Sequence, residues 1–232
     1  LGSLTAMNKE WGILNLANLS LNGTIPSSLG NAAIQLVLSN NQLSGTIHKK
    51  LLTKNRVLEV NNNTLFGDLP SDIGSNVTLL ANHNHFWGKI PAALFQGDSR
   101  VLDLSNNFMG SVLPSTFADS NVSLWAAHNK IAGPLPNGTR VDRRTVILDH
   151  NVLDGQFPGN LSVVNAGNFS VSFNKLSGPL PDIIVEEGTL NASYNQLTGP
   201  IPSSWLDTGV IDLTSNMLNG TLPAAVGTGS VD

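Results

Sequence analysis

Four of the five histidines in this 232-residue chain, His83, His85, His128 and His150, recur at related places in a repeating pattern. Trp125, Phe173 and Tyr194 fall in the same or neighbouring columns. Imidazoles can ligate a metal, move protons or touch a ligand, and aromatic rings supply large, rigid contact area. His128 and His150 lie one period apart, with Asp149 beside the second. Consecutive residues of a strand point to opposite faces, so Asp149 and His150 should not converge on one ion. No metal-binding spacing appears, so these read as unligated surface imidazoles, for which a pH-sensitive contact is a better reading than a metal. Acid–base catalysis has no better footing. Glu186 and Glu187 are a consecutive pair in a linking segment, not carboxylates facing across a cleft. Asp103 and Asp149 are scattered, and no phosphate-cradling loop or nucleophile elbow is present. Cysteine is absent, which removes thiolate chemistry and disulfides. The chain reads as a non-enzyme that needs no cofactor and no metal.

The elements that position these residues come from one phrase, spelled in ten versions: Leu-x-Leu-Ser-x-Asn-x-Leu-x-Gly-x-Ile-Pro. Clear copies run from Leu36 to Ile47 and from Leu190 to Pro202. The phrase closes on Pro26, Pro70, Pro91, Pro114, Pro136, Pro158, Pro181, Pro202 and Pro223, with His48 in the slot that lacks proline, so the period is 21 to 23 residues. A fixed period near 22 with recurring Leu and Asn specifies a leucine-rich-repeat solenoid. The alternation in Leu102-Asp103-Leu104-Ser105 predicts a short half-buried strand per repeat, stacked in parallel on a concave face. We expect a right-handed coil of about ten such repeats, with short 3-10 or irregular convex segments. Residues 1–232 then form a single solenoid.

Each repeat has a structural Asn after its strand: Asn41, Asn63, Asn84, Asn107, Asn129, Asn151, Asn174, Asn195 and Asn216, with Leu19 in that slot of the first repeat. A carboxamide offers two donor hydrogens and an acceptor to backbone groups in a buried bend. The glycines form a second column, in which Gly110 comes one position early and predicts a local irregularity. Arg140, Arg143 and Arg144, interrupted by Asp142, are expected on a solvated convex turn.

Charged residues make up only 12% of the chain, about half the ~25% of an average domain, and the net charge is −4. That balance carries no footprint for nucleic acid, and no apolar run is long enough for a membrane span. Asn-x-Ser/Thr occurs at Asn18, Asn22, Asn62, Asn76, Asn121, Asn137, Asn160, Asn168, Asn191 and Asn219, about twice the roughly five that composition predicts by chance. The excess points to a secreted or cell-surface glycoprotein.

The Ser after the second Leu and the closing Gly-x-Ile-Pro resemble the plant-specific type of leucine-rich repeat, found in receptor-like kinase ectodomains and polygalacturonase-inhibiting proteins. The resemblance runs from Leu14 to Pro223. It implies an extracellular recognition scaffold that binds peptides, proteins or glycans, and it implies no chemistry. Family repeats usually run to 24 residues and family ectodomains usually carry Cys-paired caps. Here the repeats are shorter and both ends read as uncapped, as in a segment of a longer array or an end-stacked subunit.

Three functions are therefore weighed. The first is a ligand-binding scaffold that uses its concave face, through His83, His85, Trp125, His128, His150, Phe173 and Tyr194. The second is a filament subunit, self-associating through Leu1, Leu4 and Trp11 at one end and Val226 and Val231 at the other. The third is binding to ice or a glycan surface through the Asn and Ser columns.

Overall fold

The computed structural model describes residues 11–31, 33–53, 57–73, 77–96, 101–206 and 209–223. The expected end faces of Leu1, Leu4, Val226 and Val231, and the sequon at Asn76, lie outside them.

The described residues form a parallel β-solenoid. Its main sheet has ten strands in sequence order, from Trp11–Asn15 and Ala33–Val37 through Ser123–Trp125 and Asn168–Ser170 to Thr189–Asn191 and Val210–Asp212. The strands are short because only the Leu-x-Leu segment alternates; the Asn bend then ends each one. Register follows the repeat. Leu36, Leu58, Leu79, Leu102, Leu124, Val146, Phe169 and Leu190 pair strand to strand in one inward column, and all are fully buried. No single repeat encloses this column, so its burial depends on neighbouring turns.

The Asn residues stitch those turns together. The Asn151 side chain donates from Nδ2 to Ala126 O at 2.9 Å in the preceding turn and to Leu148 O at 3.0 Å in its own. Its Oδ1 accepts from Ile131 N at 2.9 Å. The same pattern recurs along the ladder, as at Asn63 and Asn195. In the first repeat Leu19 is exposed, and Asn41 of the next turn accepts from both Leu19 N and Leu21 N.

Two features go beyond the expected architecture. A second parallel sheet follows the Asn bends, seven-stranded from Asn22–Thr24 to Val152–Leu153 and continued by three strands from Ser177–Pro179 to Met217–Leu218. Its glycines other than Gly110 hold positive φ, and a Cβ on Gly45 (φ 85°) would come within 2.8 Å of Thr24 Cγ2. Where Gly110 comes early, Ser111 takes the positive-φ slot at 104°, so the irregularity is a serine in a glycine's conformation.

The convex side is also mixed rather than uniformly 3-10 or irregular. Ser27–Asn31, Lys49–Leu52, Ala92–Phe95, Ser115–Phe117 and Ser203–Leu206 are 3-10 helices. His48, in the proline slot, caps the second, its Nδ1 accepting from Lys50 N. Between them Arg140–Asp142, Ser162–Val164 and Ile184–Glu186 pair as a three-stranded parallel sheet. The β-branched Val141, Val163 and Val185 align inward there and are buried, which favours strands over helical turns.

Arg144 is not solvated as the sequence suggested. It is 4% exposed. Its guanidinium donates to Arg140 O, Ser120 Oγ, Val122 O and Phe117 O, and lies 4.9 Å from the Phe117 ring centre. Burial lowers its pKa to about 10, which leaves it charged at neutral pH. The side chain sits where the convex face changes from 3-10 helix to strand. Arg140 and Asp142 remain on the surface as an exposed ion pair at 2.7 Å.

Candidate ligand-contacting face

The fifth position of the repeat is a turn, not an ordinary strand position. Asn18, Asn40, Asn62, His83, Asn106, His128, His150, Phe173, Tyr194 and Ser215 all have φ between 53° and 58°. Asn and His tolerate this left-handed conformation better than most residues, which explains why they dominate the column. A bulky aromatic there is uncommon, and the conformation costs roughly 1–2 kcal/mol for an L-residue. Phe173 and Tyr194 adopt it nonetheless.

The turn aims each side chain outward, in line with its counterpart in the next turn. His128, His150, Phe173 and Tyr194 thereby form one continuous ring stack. Centroids are 4.4 Å, 4.2 Å and 4.1 Å apart in succession, with planes within 11° of parallel. All four residues are exposed, Phe173 at 42% and Tyr194 at 50%. Stacked aromatic pairs contribute about 0.5–1.5 kcal/mol each beyond area burial, enough to offset much of the backbone strain.

The remaining expected contact residues are placed differently. His83 is in the same column but is separated from His128 by Asn106, whose Nδ2 lies 3.4 Å from His83 Nε2. Trp125 lies half-buried on the main sheet, in register with Asp103 and Ile147. His85 belongs to the second sheet, in strand His85–Gly88, where its ring stacks on Phe108 at 5.9 Å. The seventh position lies past the Asn bend, so its side chains leave the concave sheet.

That flank carries residues the sequence reading passed over. Phe66 and Trp87 are 41% and 47% exposed and stack at 5.8 Å, and Lys130 Nζ stands 5.3 Å over Phe108. A depression of about 570 Å³ lined by Asp68, Lys89, Phe108 and Ser111 lies beside them. The available signal was the alternation in Thr64-Leu65-Phe66-Gly67-Asp68, which marks a second strand in the repeat.

Asp149 does not join the imidazoles. Its Oδ1 accepts from Ser170 Oγ at 2.6 Å and Ser172 N at 2.8 Å. Among the described residues no three His, Asp or Glu side chains gather as metal ligands, and no helix is long and apolar enough to cross a membrane.

The sequons divide by burial. Asn18, Asn22, Asn62, Asn121, Asn137, Asn160 and Asn219 are exposed, whereas Asn168 and Asn191 are half-buried within main-sheet strands.

A family model described as Leucine Rich Repeat matches residues 100–120. Receptor-like protein 18 of Arabidopsis thaliana is 33% identical over 155 residues, 65% of this chain and 17% of the relative. Receptor-like protein 45 of the same plant is 30% identical over 141 residues, 57% of this chain and 14% of the relative. The chain thus spans about a sixth of the length of these curated relatives. Among solved structures, the ectodomain of the Arabidopsis receptor kinase HAESA, in complex with an IDA peptide hormone ligand, superposes with a TM-score of 0.64. Identity is 24%, covering 91% of this chain and 43% of that one. A plant ice-binding protein superposes with a TM-score of 0.63 and 26% identity, covering 94% of this chain and 76% of that one. The described residues thus have a leucine-rich-repeat solenoid fold, and their repeats are similar to those of the plant receptor-like relatives.

Proposed function

We propose that this solenoid is an extracellular, non-catalytic recognition scaffold that binds a peptide or protein ligand across its concave side. The ring stack His128–His150–Phe173–Tyr194 carries the reading. Residues exposed to water and held in a strained conformation contribute little to the fold, and rigid aromatic surface is what binding sites use. The HAESA ectodomain, which shares the fold, is solved with a peptide hormone bound. The sequons and the receptor-like relatives support a secreted or cell-surface location.

The test is a screen of peptide and glycan libraries against the immobilised protein and against His150→Asn/Phe173→Asn. Asparagine already occupies this column at four places and accepts its backbone conformation. A ligand that binds the wild type and is lost in the double variant, with unchanged thermal unfolding, supports the reading. Ligands that bind both equally sink it.

A second reading rests on the likeness to the plant ice-binding protein. An ice-binding face needs a flat, uninterrupted lattice of like residues. The run Asn18, Asn40 and Asn62 is broken by His83 and then by the rings. Thermal hysteresis that survives the double variant would favour this alternative over the first.

A further inference from the structure

The ring stack ends at Tyr194, and its end is open. The next residue in the column is Ser215, with φ 57°, exposed and too short to cover a phenol face. Tyr194 stacks on Phe173 through one face, and its other face meets no ring or cation among the described residues. The stack advances 4.1–4.4 Å per turn. A planar group laid over Ser215 would therefore take the place of the next ring.

The charge of the surroundings selects among planar groups. The outward positions of the main sheet and its following turns carry Glu59, Asp103, Asp149 and Asp212, and no Lys or Arg. The aspartates are fixed by local bonds to one oxygen each. Asp103 Oδ1 accepts from Ser105 N, and Asp212 Oδ1 accepts from Thr214 N and Thr214 Oγ1. Their Oδ2 atoms, like that of Asp149, meet no donor among the described residues. Lys130 and Lys175 lie past the Asn bend, on the second sheet's side; the corresponding positions beside Tyr194 and Ser215 are Gln196 and Met217. The open end thus combines an exposed π face with the carboxylate of Asp212 three residues before Ser215.

We propose that the concave face recognises a cationic peptide, with one arginine guanidinium stacked on Tyr194 over Ser215 and the main-sheet carboxylates matching the ligand's charge. The proposal rests on the concave side being the ligand-binding side. Arginine fits better than lysine because its guanidinium is planar, weakly hydrated and able to stack on a ring while donating in-plane hydrogen bonds.

Tyr194 is the chain's one tyrosine, so protein labelled with carbon-13 at tyrosine gives a single set of ring signals in its NMR spectrum. The whole chain is titrated at low salt with hexa-arginine, hexa-lysine and hexa-glutamate. Hexa-arginine should shift the Tyr194 ring signals and bind at least about fivefold tighter than hexa-lysine, and hexa-glutamate should not bind. Ser215→Phe should fill the slot and abolish the shift, and Asp212→Asn should weaken arginine binding severalfold. If Ser215→Phe does not fold, Tyr194→Asn supplies the same comparison through loss of the arginine preference, measured by calorimetry. Equal binding of the two cationic peptides overturns the proposal. So does arginine binding that leaves Tyr194 unmoved or survives closure of the slot. A ligand lost on changing His150 and Phe173 but carrying no cation would end this proposal while leaving the ligand-binding reading in place.

Discussion

Phe173 and Tyr194 face each other at 4.1 Å with planes 9° apart, and both hold φ at 53°. The stack and the strain have one origin. The left-handed turn that sets the ring direction recurs in every repeat, so successive rings are carried in parallel by the pitch of the coil. Asparagine adopts that turn with little strain, which makes the rings a departure that folding alone does not require.

Phe173→Asn should therefore be nearly neutral for stability. It relieves roughly 1–2 kcal/mol of backbone strain and gives up two stacking contacts of about 0.5–1.5 kcal/mol each. The expected change in unfolding midpoint is within about 4 °C. A drop of ten degrees or more in thermal unfolding would mean the rings serve the fold and not a ligand.

Asn151→Ala should behave in the opposite way. Its carboxamide bonds Ala126 O, Leu148 O and Ile131 N inside the bend, and the residue is 7% exposed. Truncation leaves those backbone groups unpaired and should destabilise by about 1–3 kcal/mol in urea unfolding. An unchanged midpoint would mean that water replaces the amide without loss.

The columns of Leu, Asn and Gly were legible because each residue type is dictated by its own place in the coil. The left-handed turn at the fifth position was not legible from any one repeat, although the recurrence of Asn18, Asn40, Asn62 and Asn106 was the available sign of it. The convex strands were not legible, since a segment as short as Ser162–Val164 becomes a strand only when Arg140–Asp142 and Ile184–Glu186 flank it. His85 was assigned to the concave side because nothing in a single repeat reveals the second sheet.

Glycan occupancy should follow side-chain access. Asn121, Asn137 and Asn160 are exposed outside the main sheet and are expected to be modified in a eukaryotic secretory pathway. Asn191 Oδ1 instead accepts from Ser193 N and from Ser193 Oγ, the hydroxyl of its own sequon. Peptide mapping after glycosidase treatment should find the first three occupied and Asn191 free. A glycan on Asn191 would contradict the placement of that strand, and no mass shift at all would undercut the secreted assignment.

Acid should weaken two surface contacts. The Asp142 carboxyl is held below its ordinary value of 3.8 by hydrogen bonds from Asn165 and then Arg140, and that of Asp72 by Lys49. Both are depressed in the folded protein, so their stabilisation is present above 3.8 and is lost as pH falls through the lower folded values. The Lys49 ammonium is raised above 10.5, so its share persists below that pH and disappears as pH climbs through the folded value. In an unfolding series from pH 5 to pH 2, Asp142→Asn should flatten the acid decline. A variant curve parallel to the wild type would show that the pairing adds nothing.

Arg144→Met tests whether the buried guanidinium holds the convex face together where its structure changes. The side chain ties Arg140 O, at the head of the first convex strand, to Phe117 O and Ser120 Oγ, 27 and 24 residues earlier. Methionine keeps much of the volume but removes the donors to Arg140 O, Val122 O and Ser120 Oγ, and leaves Phe117 O with its bonds from Ser120 N and Ser120 Oγ. The expected loss is about 3 kcal/mol. Arg144→Lys should recover only part of it, because a single ammonium cannot span acceptors distributed around a planar fork. The loss should also be local. Hydrogen exchange at Val141 and Val163 should accelerate before exchange at Leu58 or Leu79 in the main sheet. Uniform acceleration along the coil would show that Arg144 contributes to global stability alone and does not anchor the convex strands.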